Sequence, residues 1–395
     1  MERYEQTNDL LEIKEFSDVR GIDLSVIDLS SIPKEVLEKT NFDTFTKWPD
    51  ADKLPEGFDP EKIIEESKNP GLGIRELHKD GVNGYGVTVA IIDQALSSER
   101  GIVDPHDEYS SNIIDYKEFG MSGKEQKSMH GPAVASLLVG KSCGIAPEAR
   151  LVYRAVKSNE RDFNLQADAL VDIIELNKTL PEKDRVRVVS CSIGYMESKP
   201  EPGLDRWIST IKKAEAEGII VSDVGKRTGV EYLGGGASGD KESVDSYESW
   251  LYMNVSEFDE EIAKLVLEKD AEGIFKRLKE VKGEGLVGIS DEQLKSMIEF
   301  DIKNGTKRER SIIVPSDHRA MASRNGAHEY MYNGRGGISW SVPYLSGIFA
   351  LVFQIKPDLK KEQIAEIITN TAIKNKKGLK VINPKGIIEE VKKMV

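Results

Sequence analysis

The chain has 395 residues, 39% hydrophobic and 31% charged, with 34 Gly and 15 Pro; this supports a substantial core and excludes a disordered chain or a coiled coil. The 55 Lys and Arg face 68 Asp and Glu, a formal charge of −13, which repels phosphate backbones and anionic lipid and argues against nucleic acid and membranes as main partners. Two cysteines, Cys143 and Cys191, exclude a disulfide framework or a four-cysteine zinc site.

Met1-Glu2-Arg3-Tyr4-Glu5 has neither a basic n-region nor an apolar h-region, so no secretory signal is expected. The longest mostly apolar stretch, Ile348 to Ile355, is far shorter than the roughly 20 residues that span a bilayer. The expected compartment is the cytoplasm. Residues 1–78 read as an N-terminal extension packed on, or leading into, the main domain. Within it Ile22 to Leu29 alternates like a strand, and Pro60 to Glu66 reads as a short helix with proline near its start. No internal repeat is apparent.

From residue 79 short apolar β runs appear at Val87–Ile92, Leu151–Val156, Val186–Cys191 and Ile219–Ser222. Helix-period segments lie between them, at about 131–139, 163–177 and 204–217. Buried strands alternating with helices predict an α/β fold with a mostly parallel sheet covered on both faces. Residues 79–240 form its first part. Residues 241–310 break the alternation with Glu- and Lys-rich sequence and read as a helical insertion. Its apolar faces are Phe258, Ile262, Leu265 and Val266, then Leu294, Met297, Ile298 and Ile302. Residues 311–395 return to the core, with helices near 341–355, 360–373 and 385–393. Both cysteines adjoin strand-like sequence and read as small buried residues.

Three places carry chemistry. Asp93 follows a buried strand, where ligands of open α/β sheets bind; a turn-capping role is the bland alternative. His130 opens a small-residue helix, His130-Gly131-Pro132-Ala133, and taken alone would be structural. Ser339 lies in Gly336-Gly337-Ile338-Ser339-Trp340-Ser341-Val342-Pro343, at the start of an apolar helix, where Ser339 or Ser341 alone would be a cap. Serine needs a base to become a nucleophile, histidine supplies one near neutral pH, and a carboxylate fixes the histidine's tautomer. Asp93 and His130 stand 37 residues apart and the serine comes near the C-terminus.

These motifs, in this order, resemble those of the subtilisin-like serine peptidases (subtilases). The resemblance lies in Val89-Ala90-Ile91-Ile92-Asp93, His130-Gly131 with Ala133-Val134-Ala135, Gly144-Ile145-Ala146-Pro147, and Gly337-x-Ser339-x-Ser341-x-Pro343. It covers roughly residues 79–225 and 310–375. The Asp-Gln, His-Gly-Pro and Gly-x-Ser-Trp-Ser features look most like leaderless, cytoplasmic bacterial members. The resemblance implies a subtilisin-like doubly wound fold, with Asp93, His130 and Ser339 as a catalytic triad that cleaves peptide bonds through an acyl-enzyme. It also implies that Ser192, Ile193 and Gly194 pair with substrate backbone as an added strand.

Three departures bear on support for the triad. Lys226 stands where the family carries its oxyanion-hole Asn, making Lys226 the oxyanion candidate. Ile338 replaces the usual Thr, and Ala133 the second His. A catalytically impaired peptide-binding or regulatory module therefore stays open as the alternative. Residues 1–78 show no compact βαββ pattern, so no removed propeptide is expected. A peptide or protein is the expected substrate, and the helical insertion is a place for a protein partner. No cofactor is implied; the acidic runs Asp104–Glu108 and Asp240–Asp245 leave calcium unassigned.

Other features fit less well. Gly140-Lys141-Ser142 resembles the end of a phosphate loop, but Ala135 stands where its first glycine is needed. His106, His318 and His328 lack metal-ligand spacing. Val314 to Arg319 reads either as cleft wall or as a loop held by an Asp317–Arg319 ion pair.

Overall fold

Strong β-formers bounded by turns give the strands, and the glycines and prolines between them set their ends. The computed structural model describes residues 13–96, 106–122, 128–157, 162–194, 201–224, 228–237, 239–248 and 311–395. Between 261 and 299 it describes residues 261, 264, 265, 268–282, 291, 292, 295, 296, 298 and 299. The N-terminal part holds α1 (Lys34–Glu38), β1 (Asn41–Asp43), α2 (Pro60–Ser67) and α3 (Ile74–Lys79). The first core part holds β2 (Thr88–Asp93), β3 (Ile113–Phe119), α4 (His130–Val139), β4 (Arg150–Val156), α5 (Phe163–Thr179), β5 (Val186–Cys191), α6 (Leu204–Ala216) and β6 (Ile220–Asp223). Then come β7 (Tyr232–Ala237), β8 (Tyr247–Glu248), α7 (Ala271–Lys282), β9 (Ile312–Pro315), β10 (Arg319–Ala322) and β11 (Tyr330–Asn333). The chain closes with α8 (Ile338–Ile355), α9 (Lys361–Thr371), β12 (Ile373–Lys374), β13 (Lys380–Val381) and α10 (Pro384–Lys392).

The main sheet is parallel, in the order β3-β4-β2-β5-β6. Its central strand β2 is buried along its whole length. Side chains alternate across a sheet. Val89 and Ile91 accordingly join one core with α4 and α8, while Ala90 and Ile92 join a second with Phe163, Ile173 and Trp207 of α5 and α6. Helices thus cover both faces, as an α/β doubly wound fold requires. At 18 residues α8 is long and apolar enough to cross a membrane by length and composition, but its apolar faces are buried in the core. The periodicity places its start near 341; it begins at Ile338, which puts Ser339 in its first turn.

A second sheet runs β12-β13-β9-β7-β8. The Gly234-Gly235-Gly236 run, which interrupts the pattern in the sequence, lies inside β7. A Cβ there would fall 2.6 Å from Ser316 Oγ at Gly234 and 2.6 Å from Asp317 O at Gly236. The glycines let this strand lie against the turn leading toward Ser339.

The N-terminal part holds a repeat that alternation hides. Asp18-Val19-x-x-Ile22, Asp23-Leu24-x-x-Ile27 and Asp28-Leu29-x-x-Ile32 follow one another at a period of five. In each unit the backbone N–H of Val19, Leu24 or Leu29 reaches across to the carbonyl of Asn41, Lys47 or Lys53, at 2.7–2.8 Å. Each Ile N–H bonds back to the apolar residue three before it. The Asp at the head of each unit accepts from the backbone N–H two residues on. Val19, Leu24 and Leu29 are buried. The expected strand over Ile22–Leu29 is therefore a stack of turns touching its neighbour through single bridges.

This stack is not a separate appendage. β1 pairs with β11, giving the sheet β1-β11-β10. Its core takes in Ala320 and Tyr332 from the far end of the chain. Phe42 is fully buried there, between Trp48 (ring centroids 5.3 Å apart) and Tyr332 (4.8 Å). Phe42→Ala is expected to cost about 3–5 kcal/mol, read as a lower urea midpoint with unchanged slope.

Of the insertion, α7 packs Ile274 and Phe275 against Ile298 and Leu265. Phe258, Ile262, Val266, Leu294, Met297 and Ile302 lie outside the described residues.

Candidate active site

Asp93 ends β2 at the carboxyl edge of the main sheet and is 7% exposed. His130 is the first residue of α4. The two are brought together by small side chains. A Cβ on Gly131 would lie 2.5 Å from Gln94 O and 2.8 Å from Tyr153 Oη, so only glycine lets this helix sit so close to the strand end. Ser128 Oγ accepts from the N–H of His130 (2.9 Å) and of Gly131 (3.3 Å), capping the helix, and donates to Gln94 Oε1 beside Asp93.

His130 Nδ1 lies 2.7 Å from Asp93 Oδ1, which also accepts from Gln94 N at 2.8 Å. A carboxylate only accepts, so Nδ1 carries the proton and Nε2 keeps its lone pair. Burial disfavours the charged ring, but the charge of Asp93 and its hydrogen bond outweigh this, and the His130 pKa lies above the ordinary histidine value.

Ser339 is the second residue of α8 and half-buried. Its carbonyl has an unusual history. Pro343 stands four residues on and has no N–H to offer it. Ser192 Oγ fills the gap, donating to Ser339 O at 2.8 Å. The next residue, Trp340, sets its indole against the His130 ring, with centroids 5.0 Å apart. Ser339 is thus anchored on one side to the segment beyond β5 and on the other to His130. Ser341 is different: it is fully buried and donates to Val314 O at 2.9 Å.

The turn before Ser339 is held from the Val314–Arg319 segment, though not by the ion pair its sequence offers. Asp317 Oδ1 accepts from Gly336 N at 3.0 Å and from Ser316 Oγ at 2.7 Å. Arg319 does not pair with Asp317; its Nη2 donates to Cys143 O at 2.8 Å. Asp317 stands before β10, which begins at Arg319, and the two side chains go to different partners. The N-terminal part also reaches this turn, through Gly334 N to Thr40 O (3.2 Å) and the Phe16 ring 5.4 Å from Arg335 Cζ.

Beyond β5, Ile193 O accepts from Val224 N at 3.4 Å, continuing the β5–β6 pairing, and Ile193 N bonds back to Cys191 O. Lys226 lies outside the described residues. Cys143 and Cys191 are free and buried. Among the described residues no group of three or more His, Cys, Asp or Glu is arranged to hold a metal. Glu108 is taken by Ser142 N (2.9 Å) and Tyr330 Oη (2.7 Å), and Asp245 by Lys376 N (2.9 Å).

Among curated proteins, the chain is 26% identical over 181 residues to the endoprotease aex-5 of Caenorhabditis elegans, covering 44% of this chain and 32% of that one. It is 22% identical over 328 residues to the serine protease AprX of Bacillus subtilis (strain 168), covering 78% of this chain and 66% of that one. It thus spans about a third of the first relative and just under two thirds of the second. Similar solved structures include the prenylagaramide maturation protease PagA, with TM-score 0.48, 17% identity, 81% of this chain and 98% of that one. The PatG macrocyclase domain gives 0.46, 15%, 81% and 94%. The family model described as "Subtilase family" matches residues 84–387, most of the chain and all three motifs. The chain belongs to the subtilase family.

Proposed function

We propose that this chain is a serine peptidase that cleaves peptide bonds through an acyl-enzyme, with Ser339 as nucleophile, His130 as general base and acid, and Asp93 as its orienting carboxylate. The Asp93–His130 pair at 2.7 Å carries the reading, since it leaves Nε2 unprotonated for a serine held by Ser192 and Trp340. Ser339 Oγ attacks the carbonyl carbon as its proton passes to His130 Nε2. The C–N bond then breaks, and the same proton goes to the leaving amine. Water, deprotonated by His130, attacks the ester, releases the acid and restores Ser339. Ser192, Ile193 and Gly194, just beyond β5 and beside Ser339, are the proposed segment that takes the peptide as an added strand. Lys226 is the proposed oxyanion donor.

The test is labelling with a fluorophosphonate probe. Wild type is expected to label and Ser339→Ala not to. Folded wild type that does not label would overturn the reading in favour of a peptide-binding module, which Lys226, Ile338 and the helical insertion favour.

The pH dependence has a defined sign. The base must be neutral, so kcat/KM is expected to rise with pH through a value above about 6.5, the ordinary histidine value. The stability contributed by the charged pair runs the other way: full below about 6.5, it is lost as pH rises through the raised value. A pH–rate profile with its limb below 6 would contradict both.

A further inference from the structure

Among the described residues two arginines are fully buried, Arg154 and Arg319. Arg154 is neutralised twice, by Asp115 Oδ2 at 2.5 Å and Asp172 Oδ2 at 2.6 Å. Among the described residues Arg319 meets no carboxylate. Its Nη2 donates to Cys143 O at 2.8 Å, while its Nε and Nη1 are buried and meet no acceptor. Tyr344, on α8, is fully buried too, and its Oη has no partner either; its ring centroid lies 5.8 Å from Arg319 Cζ. A second basic side chain, not a carboxylate, lies nearby. Lys241 Nζ donates to the carbonyls of His318 and Ser67, and burial and then the field of Arg319 push its pKa well below the ordinary lysine value.

We propose that Arg319 and Tyr344 enclose a bound small monovalent anion, with chloride as the probe. The open groups are two donor nitrogens of a guanidinium and one O–H donor, which together ask for an acceptor. A buried guanidinium keeps its charge and needs a counter-charge, which a neutral water does not provide. The nearest protein candidates do not supply one. Burial and the charge of Glu108 push the Cys143 thiol up to about 12, and burial holds the Tyr344 hydroxyl neutral. The anion would tie together the loop leaving α4, strand β10 and helix α8, and hence the two helices whose first turns carry His130 and Ser339. It does not depend on those residues being catalytic.

The experiment uses the full chain desalted into a chloride-free gluconate buffer after exposure to chloride. Urea denaturation followed by ion chromatography is expected to release about one chloride per chain from wild type. The thermal midpoint is expected to rise and saturate with chloride when gluconate is exchanged for chloride at constant ionic strength. Arg319→Met should abolish the release. If that variant fails to fold, Tyr344→Phe serves. Losing one hydrogen bond to a charged partner should raise the half-saturating chloride concentration roughly tenfold or more. Wild type that releases no chloride and has the same midpoint in both salts would overturn the proposal. So would native thiolate absorbance that vanishes in Cys143→Ala, which would make Cys143 the counter-ion.

Discussion

Ser339→Ala is expected to lower kcat/KM on a cleaved peptide by roughly 10⁶-fold, with the thermal midpoint almost unmoved. The size follows from the absence of a substitute. Ser341, two residues on, is buried and bonded to Val314 O. Ser192, the hydroxyl that touches Ser339, is committed to its carbonyl. Removing Ser339 Oγ leaves both of those bonds in place, because neither uses its side chain, so the fold should not notice. Progress curves at high enzyme concentration, with a circular dichroism melt beside them, check both halves. Residual turnover above a hundredth of wild type would place the nucleophile elsewhere.

Asp93→Asn is expected to cost roughly 10⁴-fold in kcat, through geometry that barely changes. Asp93 Oδ1 now accepts from both His130 Nδ1 and Gln94 N, and an asparagine with its nitrogen at that position loses both bonds. Its amide nitrogen then faces His130 Nδ1 as a donor, where the carboxylate is an acceptor. The ring answers by moving its proton to Nε2, the atom that must take the proton of Ser339. The lost charge has a second, separable effect. Without Asp93, burial alone acts on His130, so the alkaline-shifted limb of the pH–rate profile should move to lower pH. A variant with the rate loss but an unmoved limb would show that Asp93 acts by position alone.

How much of this could be read from residues alone depended on range. Asp93 at the end of an apolar run, His130 before small residues and Ser339 at a helix start each carry a local signature, and their elements form where periodicity places them. What escaped notice is held by long-range contact or by an unfamiliar period. A repeat of five matches neither the period of 2 for strands nor that of 3.6 for helices, so Asp18 to Ile32 looked like loose alternation. Three glycines in a row look like a break until Ser316 and Asp317 lie against them. Trp340 reads as core, and only the folded chain sets it beside His130. Ser192 stood in a strand-addition segment; its bond to a carbonyl freed by Pro343 joins positions 147 residues apart.

The stack at the start of the described chain has a consequence for how such a segment can change length. Each rung repeats one hydrogen bond, from Val19, Leu24 or Leu29 to Asn41, Lys47 or Lys53, five residues apart on one side and six on the other. A single inserted residue between Asp18 and Ile32 would slide every later aspartate into the place of a buried apolar residue. A whole unit of five opposite a whole unit of six would add a rung and leave β1 on β11 untouched. Length here is quantised. Drift by insertion and deletion, gradual in an ordinary surface loop, can proceed in this segment only by complete storeys, with the ground floor fixed to the turn that carries Ser339.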